Sequence, residues 1–224
     1  MEFKFQKIKE IVAKELSNST HQMDHVMRVH DLCLLLAQNE DVDLDVLRAA
    51  ALLHDIAREK EDNDPSGETD HAILSADMAI PILRSLEFSE DEINHIKDCI
   101  ISHRYKTDIV PKTQEAKILF DADKLDTVGA IGIARSFIWI GKNNAKMYLN
   151  PDNIDEYVKS NLSGKTNGRI QDKSKHSLQI EFETKLKFLE GKLYTNKAKE
   201  ICKDRIKFFE YFLKRLEEEI EGKL

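Results

Sequence analysis

His54 and Asp55 close the apolar stretch VLRAAALLHD. An imidazole and a carboxylate beside Leu52-Leu53 are costly to bury unless they are paired or bound to a cation. A metal ion explains both residues, provided that other donors converge on them. The candidates are His25 upstream and His71, His103 and Asp123 downstream. His25 follows His21 at an i, i+4 spacing, which shares a helix face. His21 lies nearer the helix start, where it can cap or contact a phosphate. Taken alone, His25 reads as a core histidine bonded to a carbonyl, and the His54-Asp55 pair is what changes that reading. In FDADKLDTVG, Asp123 and Asp126 share a helix face while Asp121 points elsewhere. These acids either line a solvated face with Lys117 and Lys124 or, crowded by Ile118, Leu119, Phe120 and Leu125, need a metal partner. Histidine and carboxylate donors together suit Mn, Fe, Zn or Ni more than Ca or Mg.

Basic residues near these positions would serve an anionic substrate: Arg28, Arg58, Arg104, Lys106, Lys124 and Arg135. Most of such a set is ordinary surface charge. Arg135 stands apart as the only charge in GAIGIARSFIWI. It either pairs with Asp121 or Asp126, or reaches a phosphate. His30 and His95 read as partly exposed helix residues, His176 has no assigned role, and Phe137 and Trp139 read as core.

The elements that must position these groups read as helices. Only 4 Pro and 8 Gly occur in 224 residues, which favours helices over sheets with tight turns. Phe5, Ile8, Val12 and Leu16 share one face of a first helix ending near Ser17. Ser19 or Thr20 can cap the second, with Val26, Val29, Cys33 and Leu36 inward. Asp43 caps a third that runs through DLDVLRAAALLHDIA. The loop EKEDNDPSGE follows, broken by Pro65 and Gly67. Thr69 or Asp70 starts the next helix, which Pro81 kinks or restarts. Ser89 and Glu92 form a capping box for DEINHIKDCIISH, and Thr113 caps QEAKILFDADKLD. The run TVGAIGIARSFIWIG is apolar all round and reads as a buried helix, with Gly129 and Gly132 allowing close approach. Residues 142–177 are polar and read as an excursion or lid. Two helices finish the chain, about 177–190 with Gly191 as C-cap and about 196–221 with Ile201, Phe208, Phe212, Leu216 and Ile220 on one side.

Hydrophobic residues make up 41% and charged residues 33%, with a formal net charge of −7. That composition is globular, and the negative charge argues against a nucleic-acid polymer as partner. Cys33, Cys99 and Cys202 lie in helical patterns and read as reduced thiols of a cytoplasmic protein. No apolar run is long enough to span a membrane, and no secretory segment opens the chain. The long final helix could pair two copies in a homodimer.

The ordered set His25, His54-Asp55, Asp123 resembles the signature of the HD-domain superfamily of metal-dependent phosphohydrolases. DHVMRVHDLCLLLA resembles its first metal helix and LRAAALLHDIAR its central motif. FDADKLDTVGAIGIAR is similar to a bacterial and archaeal subgroup of nucleotide pyrophosphohydrolases that also carries two C-terminal helices. The resemblance implies an all-α HD-domain helical bundle with those two helices packed on it. It covers the chain except the polar excursion or lid (142–177), so the chain reads as an HD core (1–141), that excursion, and a helical extension of the same domain (178–224). It implies His25, His54, Asp55 and Asp123 as metal ligands, with Asp126 as an acceptor orienting a ligand histidine. Some branches place a second metal on histidines such as His71 and His103, after an HD-x-(Ala/Gly)-Lys string. Here Arg58 replaces that lysine; arginine grips phosphate but is a poorer proton donor.

The implied activity is hydrolysis of a (deoxy)nucleoside triphosphate by a water activated on a divalent ion (Mn, Fe, Ni, Zn or Mg). Arg58 or Lys124 would offset substrate charge, Glu59 would orient the water or act as base, and His21, Arg28 and Arg135 would hold the substrate. Two other readings stay open. One is a dinuclear enzyme acting on dinucleoside polyphosphates or cyclic nucleotides. The other is a non-catalytic nucleotide or metal sensor.

Overall fold

A computed structural model of the chain describes residues 2–16, 20–104, 109–151, 153–166 and 168–224, without the side chains of 20–22. The expected helix end at Ser17, the cap at Ser19 or Thr20, the His21 side chain and Lys106 lie outside the described residues. All regular structure among the described residues is helical. None of those helices is long and apolar enough to cross a membrane. The chain divides into two compact units, Met1–Asp123 and Lys124–Leu224.

The first unit is built around α3 (Leu44–Leu53), which Asp43 caps by accepting from the Asp45 and Val46 amides. Seven of its ten residues are buried, among them Ala49, Ala50 and Ala51. These small side chains let α1 (Glu2–Glu15), α2 (Thr20–Leu36), α5 (His71–Ser85) and α6 (Glu90–Ser102) all pack against α3. α1 contributes Phe5, Ile8 and Val12 to the core, and α2 contributes Val26, Val29, Cys33 and Leu36. The Ser89–Glu92 capping box forms at the start of α6. Asp70 rather than Thr69 caps α5, which runs unbroken through Pro81. α7 (Gln114–Leu125) starts where the Thr113 hydroxyl accepts from the Ala116 amide.

Three expectations in this unit need correction. The third helix stops at Leu53, not Ala57; tight turns with Ile56 N–H to Leu53 O and Arg58 N–H to Asp55 O replace the helical ladder. The loop after it begins as a short helix, α4 (Arg58–Asp62), because Ala57 bends the backbone and the amides of Lys60 and Glu61 bond back to its carbonyl. His30 is buried rather than partly exposed.

The second unit contains α8 (Gly129–Asn143), α9 (Ile154–Asn161), α10 (Leu178–Thr184) and α11 (Asn196–Ile220). Gly129 has φ +75°, and a Cβ there would lie 2.9 Å from Arg205. A Cβ on Gly132 would collide with the Thr127 carbonyl, so both glycines set the approach into α8. α8 is not buried all round: it packs on α11, but Ile131 and Ile138 are 39% and 46% exposed. The helix expected over 177–190 ends at Thr184, whose hydroxyl bonds back to the Ile180 carbonyl, and two 3-10 turns follow. Gly191 lies in the second turn and caps no α-helix. The buried stripe of α11 is Ala198, Cys202 and Phe209, rotated from the expected one; Phe208 and Ile220 are exposed.

The polar stretch 142–177 has a small core of its own, with Tyr157 and Leu162 packed on Ile180. His176 is buried within it. Asn161 donates to the Tyr157 hydroxyl at 2.6 Å, and that hydroxyl donates to His176 Nδ1 at 2.8 Å. The His176 Nε2–H then faces Glu181 at 3.2 Å. Arg135 pairs with the buried Asp126 carboxylate and also donates to its carbonyl at 3.1 Å. Of the two roles open to Arg135, the structural one is therefore formed.

Two outcomes follow from this packing. His30 Nε2 has no hydrogen-bond partner, and burial holds the His30 pKa below its ordinary value. An unfolded His30 binds a proton below about pH 6.5, whereas the folded one resists it, so folding stability falls as pH drops through that value. His30→Leu should therefore lose less melting temperature than wild type between about pH 7.5 and 5; equal losses would dismiss this account. Arg135→Ala should cost about 1–3 kcal/mol by exposing the need of Asp126 for a donor. A melting temperature unchanged from wild type would refute the pairing role.

Candidate metal centre

The donors converge within the first unit. The helical ladder ends at Leu53, so the tight turns carry both His54 and Asp55 into the same space. His54 is fully buried, and its Nδ1 lies 2.8 Å from the Ala51 carbonyl. That oxygen can only accept, so Nδ1 carries the proton and Nε2 offers a lone pair. Burial lowers the His54 pKa to about 4 despite the Asp55 charge, so the ring is neutral at physiological pH. His54 Nε2 lies 3.4 Å from Nε2 of His25 on α2 and 3.9 Å from Asp55 Oδ2. His25 Nε2 is 3.6 Å from the same Asp55 oxygen and 3.3 Å from Oδ1 of Asp123 on α7.

A second set of donors meets the other oxygen of Asp55. Nε2 of His71, at the start of α5, lies 3.3 Å from Asp55 Oδ1. Nε2 of His103, at the end of α6, lies 3.5 Å from it, and the two Nε2 atoms are 3.4 Å apart. His103 Nδ1 donates to the Ile100 carbonyl. His71 Nδ1 donates to Glu61 Oε2 at 2.8 Å. With the proton of each ring on Nδ1, both Nε2 atoms can offer lone pairs, and Asp55 Oδ1 is buried without a hydrogen bond.

The arrangement suits cations and little else. Donors about 2.1 Å from a common ion stand roughly 3.0–3.4 Å apart in tetrahedral or octahedral geometry. The measured separations of 3.3–3.9 Å lie close to that range. Lone pairs of several imidazoles face one carboxylate, which repels without a positive charge between them. Burial raises the Asp55 pKa, but His54, His103, His71 and Arg58 outweigh it and hold the group well below the usual carboxylate range. The histidine and aspartate cluster thus fits a divalent metal site.

Glu61 on α4 was not expected from the sequence. It accepts from His71, from Arg58 Nη1 at 3.0 Å and from Arg104 Nη2 at 2.9 Å. Arg104 also bonds Asp70, the cap of α5, at 2.6 Å. Burial raises the Glu61 pKa, yet the His71 hydrogen bond and the charges of His71, Arg58 and Arg104 bring it to about 2. Glu61 sits in a charged string with no apolar neighbour; its only signal was its place three residues after Arg58. Arg58 spends its guanidinium on Glu61 and Asp62. Arg28 lies on α2 and Glu59 on α4, both partly buried. Lys124, Asp126 and Arg135 belong to the second unit. His95 instead meets Thr113 and Glu115, at 3.0 and 3.2 Å, as a clip between α6 and α7.

Comparison with known proteins agrees with this geometry. The HD domain family matches residues 23–128, which include every donor of the cluster. The uncharacterized protein YpgQ of Bacillus subtilis (strain 168) is 28% identical over 215 residues, spanning 92% of this chain and 87% of YpgQ. The crystal structure of an HD-superfamily hydrolase from Bacillus thuringiensis is 27% identical and aligns with a TM-score of 0.70 over 98% of each chain. A structure of Bacillus subtilis YpgQ in complex with ADP has the same fold, with a TM-score of 0.69, 24% identity and coverage of 98% of this chain and 96% of that one. The chain thus carries an HD domain over residues 23–128, and the histidine and aspartate cluster within it fits a divalent metal site.

Proposed function

We propose that this protein is a metal-dependent phosphohydrolase acting on a nucleotide, with two divalent ions held on either side of Asp55. One observation carries the two-ion reading: Asp55 Oδ2 faces His25 and His54, while Oδ1 faces His71 and His103. His25, His54, Asp55 and Asp123 hold the first ion; Asp55, His71 and His103 hold the second. Mn, Fe, Ni, Zn and Mg are the candidate ions, and the nitrogen-rich second set favours the transition metals over Mg. Bound there, such ions lower the pKa of a water towards about 7 and draw charge from a phosphoryl oxygen.

The chain's own residues do the rest. Asp55 stays ionised and sets the spacing between the two donor groups. The Ala51 and Ile100 carbonyls and the Glu61 carboxylate keep the Nδ1 protons of His54, His103 and His71 away from the centre. Arg58, more than a third exposed, can exchange Glu61 and Asp62 for a substrate phosphate, which it grips in a fork. Glu59 is the nearest candidate to orient a water, and Lys124, beside Asp123 in sequence, is a candidate to neutralise a leaving phosphate. Arg28 and His21 lie on the helix of His25 and are candidates for the rest of the substrate. Arg135 keeps its structural pairing in this reading.

A nucleoside or deoxynucleoside triphosphate is the proposed substrate, supported by the ADP bound to the YpgQ relative. The two-ion geometry also favours a second substrate class, dinucleoside polyphosphates or cyclic nucleotides. A panel of all three classes, assayed with Mn(II) and Fe(II) under aerobic and anaerobic conditions, separates them by product. No turnover of any nucleotide by the metal-loaded protein would leave the sensor reading in place of catalysis.

His54→Ala and Asp55→Ala should each abolish tight metal binding and hydrolysis together; retained metal in both would refute the ligand assignment. His71→Ala should lower bound metal from two ions to one per chain. If wild type saturates at one ion, the centre is mononuclear and only the first donor group holds metal.

A further inference from the structure

The two donor groups differ in what fixes their histidines. His54 and His103 are oriented by carbonyls of their own helices, three residues back in each case. These contacts form with the helix and cannot be lost separately. His71 opens α5, so no preceding helical turn exists to accept its Nδ1 proton. Its acceptor is a side chain from a different helix, Glu61 of α4, at 2.8 Å. Glu61 does not stand alone. Arg104, directly after His103, bonds its other oxygen at 2.9 Å and bonds Asp70 at 2.6 Å. Asp70 caps α5 through the amides of Ala72 and Ile73. One guanidinium thus ties the end of α6 to α4 and to the start of α5, around the ring that Glu61 holds.

We infer that Glu61, clamped by Arg104, is the positioning residue that fixes His71 with Nδ1 protonated and Nε2 turned to Asp55 Oδ1, and so sets the affinity of the second ion alone. The inference rests on the two-ion reading for its metal consequence, but its tautomer consequence does not. Without an acceptor at Glu61, a singly protonated His71 ring gains by placing its proton on Nε2, where Asp55 Oδ1 lies 3.3 Å away and lacks a hydrogen bond. That tautomer satisfies Asp55 and blocks the second ion. A glutamine keeps an acceptor oxygen in place while removing the charge. Acceptor and charge are therefore separable by substitution.

The test compares wild type, Glu61→Ala and Glu61→Gln in two measurements. Nitrogen NMR of the His71 ring in the metal-free protein reports which nitrogen bears the proton. Titration with Mn(II), with metal counted per chain, reports both affinities; the melting temperature of each metal-free variant reports folding. Wild type and Glu61→Gln should show Nδ1 protonated, and Glu61→Ala should shift towards Nε2. The second ion should bind about 10–100-fold more weakly in Glu61→Ala and recover most of that loss in Glu61→Gln, with the first ion unchanged. Glu61→Ala with the wild-type tautomer overturns the inference. Equal weakening in both variants overturns the acceptor role, because it assigns the effect to charge. A wild type that binds one ion refutes the two-ion reading, and the tautomer result then still decides whether Glu61 orients His71.

Discussion

Asp55 places a carboxylate among four imidazoles, and the first unit is arranged around the cost of doing so. An anion taken from water into a protein interior loses several kcal/mol of solvation. Protonating the histidines would offset it, but His54 is too deeply buried to hold a proton at neutral pH. The Nδ1 positions of His54, His71 and His103 are already committed to oxygen acceptors. With those protons so placed, what remains is a set of inward lone pairs facing the Asp55 carboxylate, which a bound cation reconciles. The donor set is therefore a fixed electrostatic demand that the folded chain creates.

That demand explains the shape of the helices around it. α3 is lined with alanine, which lets α1, α2, α5 and α6 approach closely, so that donors from α2, α5 and the end of α6 meet those that follow α3. Its ladder ends one residue before His54. Had it continued to Ala57, adjacent side chains would diverge by about 100° around the helix axis, and the two could not share a centre. Donors separated by as much as 98 residues in sequence, from His25 to Asp123, assemble only once the helices have packed. A bound ion therefore rewards the complete fold and no part of it.

The donors were legible in the sequence because ionisable residues in apolar helical runs are conspicuous. His25, His54, Asp55, His71, His103 and Asp123 all come together where their spacing allowed. The helix faces of the first unit were legible for the same reason, as were the Asp43 and Ser89 caps. Glu61 was not, because one acid in EKEDNDPSGE looks like any other until Arg104 arrives from 43 residues away. His30 and His176 were missed in the same way: burial of a lone histidine depends on neighbours that sequence does not pair with it. In the second unit, composition misled. The apolar run 127–141 suggested a helix buried all round, but α8 packs mainly on α11 and leaves Ile131 and Ile138 exposed. A polar run suggested an excursion over 142–177, but a single tyrosine with Leu162 and Ile180 suffices to anchor it.

The two halves of the centre are not equivalent, although they share Asp55. The first adds a second carboxylate, Asp123, to two histidines, so it carries more negative charge. The second has two histidines and no further carboxylate among its donors, and one of those histidines owes its orientation to a side chain. Charge neutralisation makes the first the stronger site for any divalent ion, since Coulomb attraction to two carboxylates exceeds that to one at similar distance. Filling the first ion draws electron density from Asp55 and leaves less for the second. The second position is then the weaker one and the one that responds most to its surroundings. On the proposed two-ion reading, a chain built this way would hold one ion firmly and admit the other according to the metal available, while Arg58 of α4 shares Glu61 with the histidine of that second position.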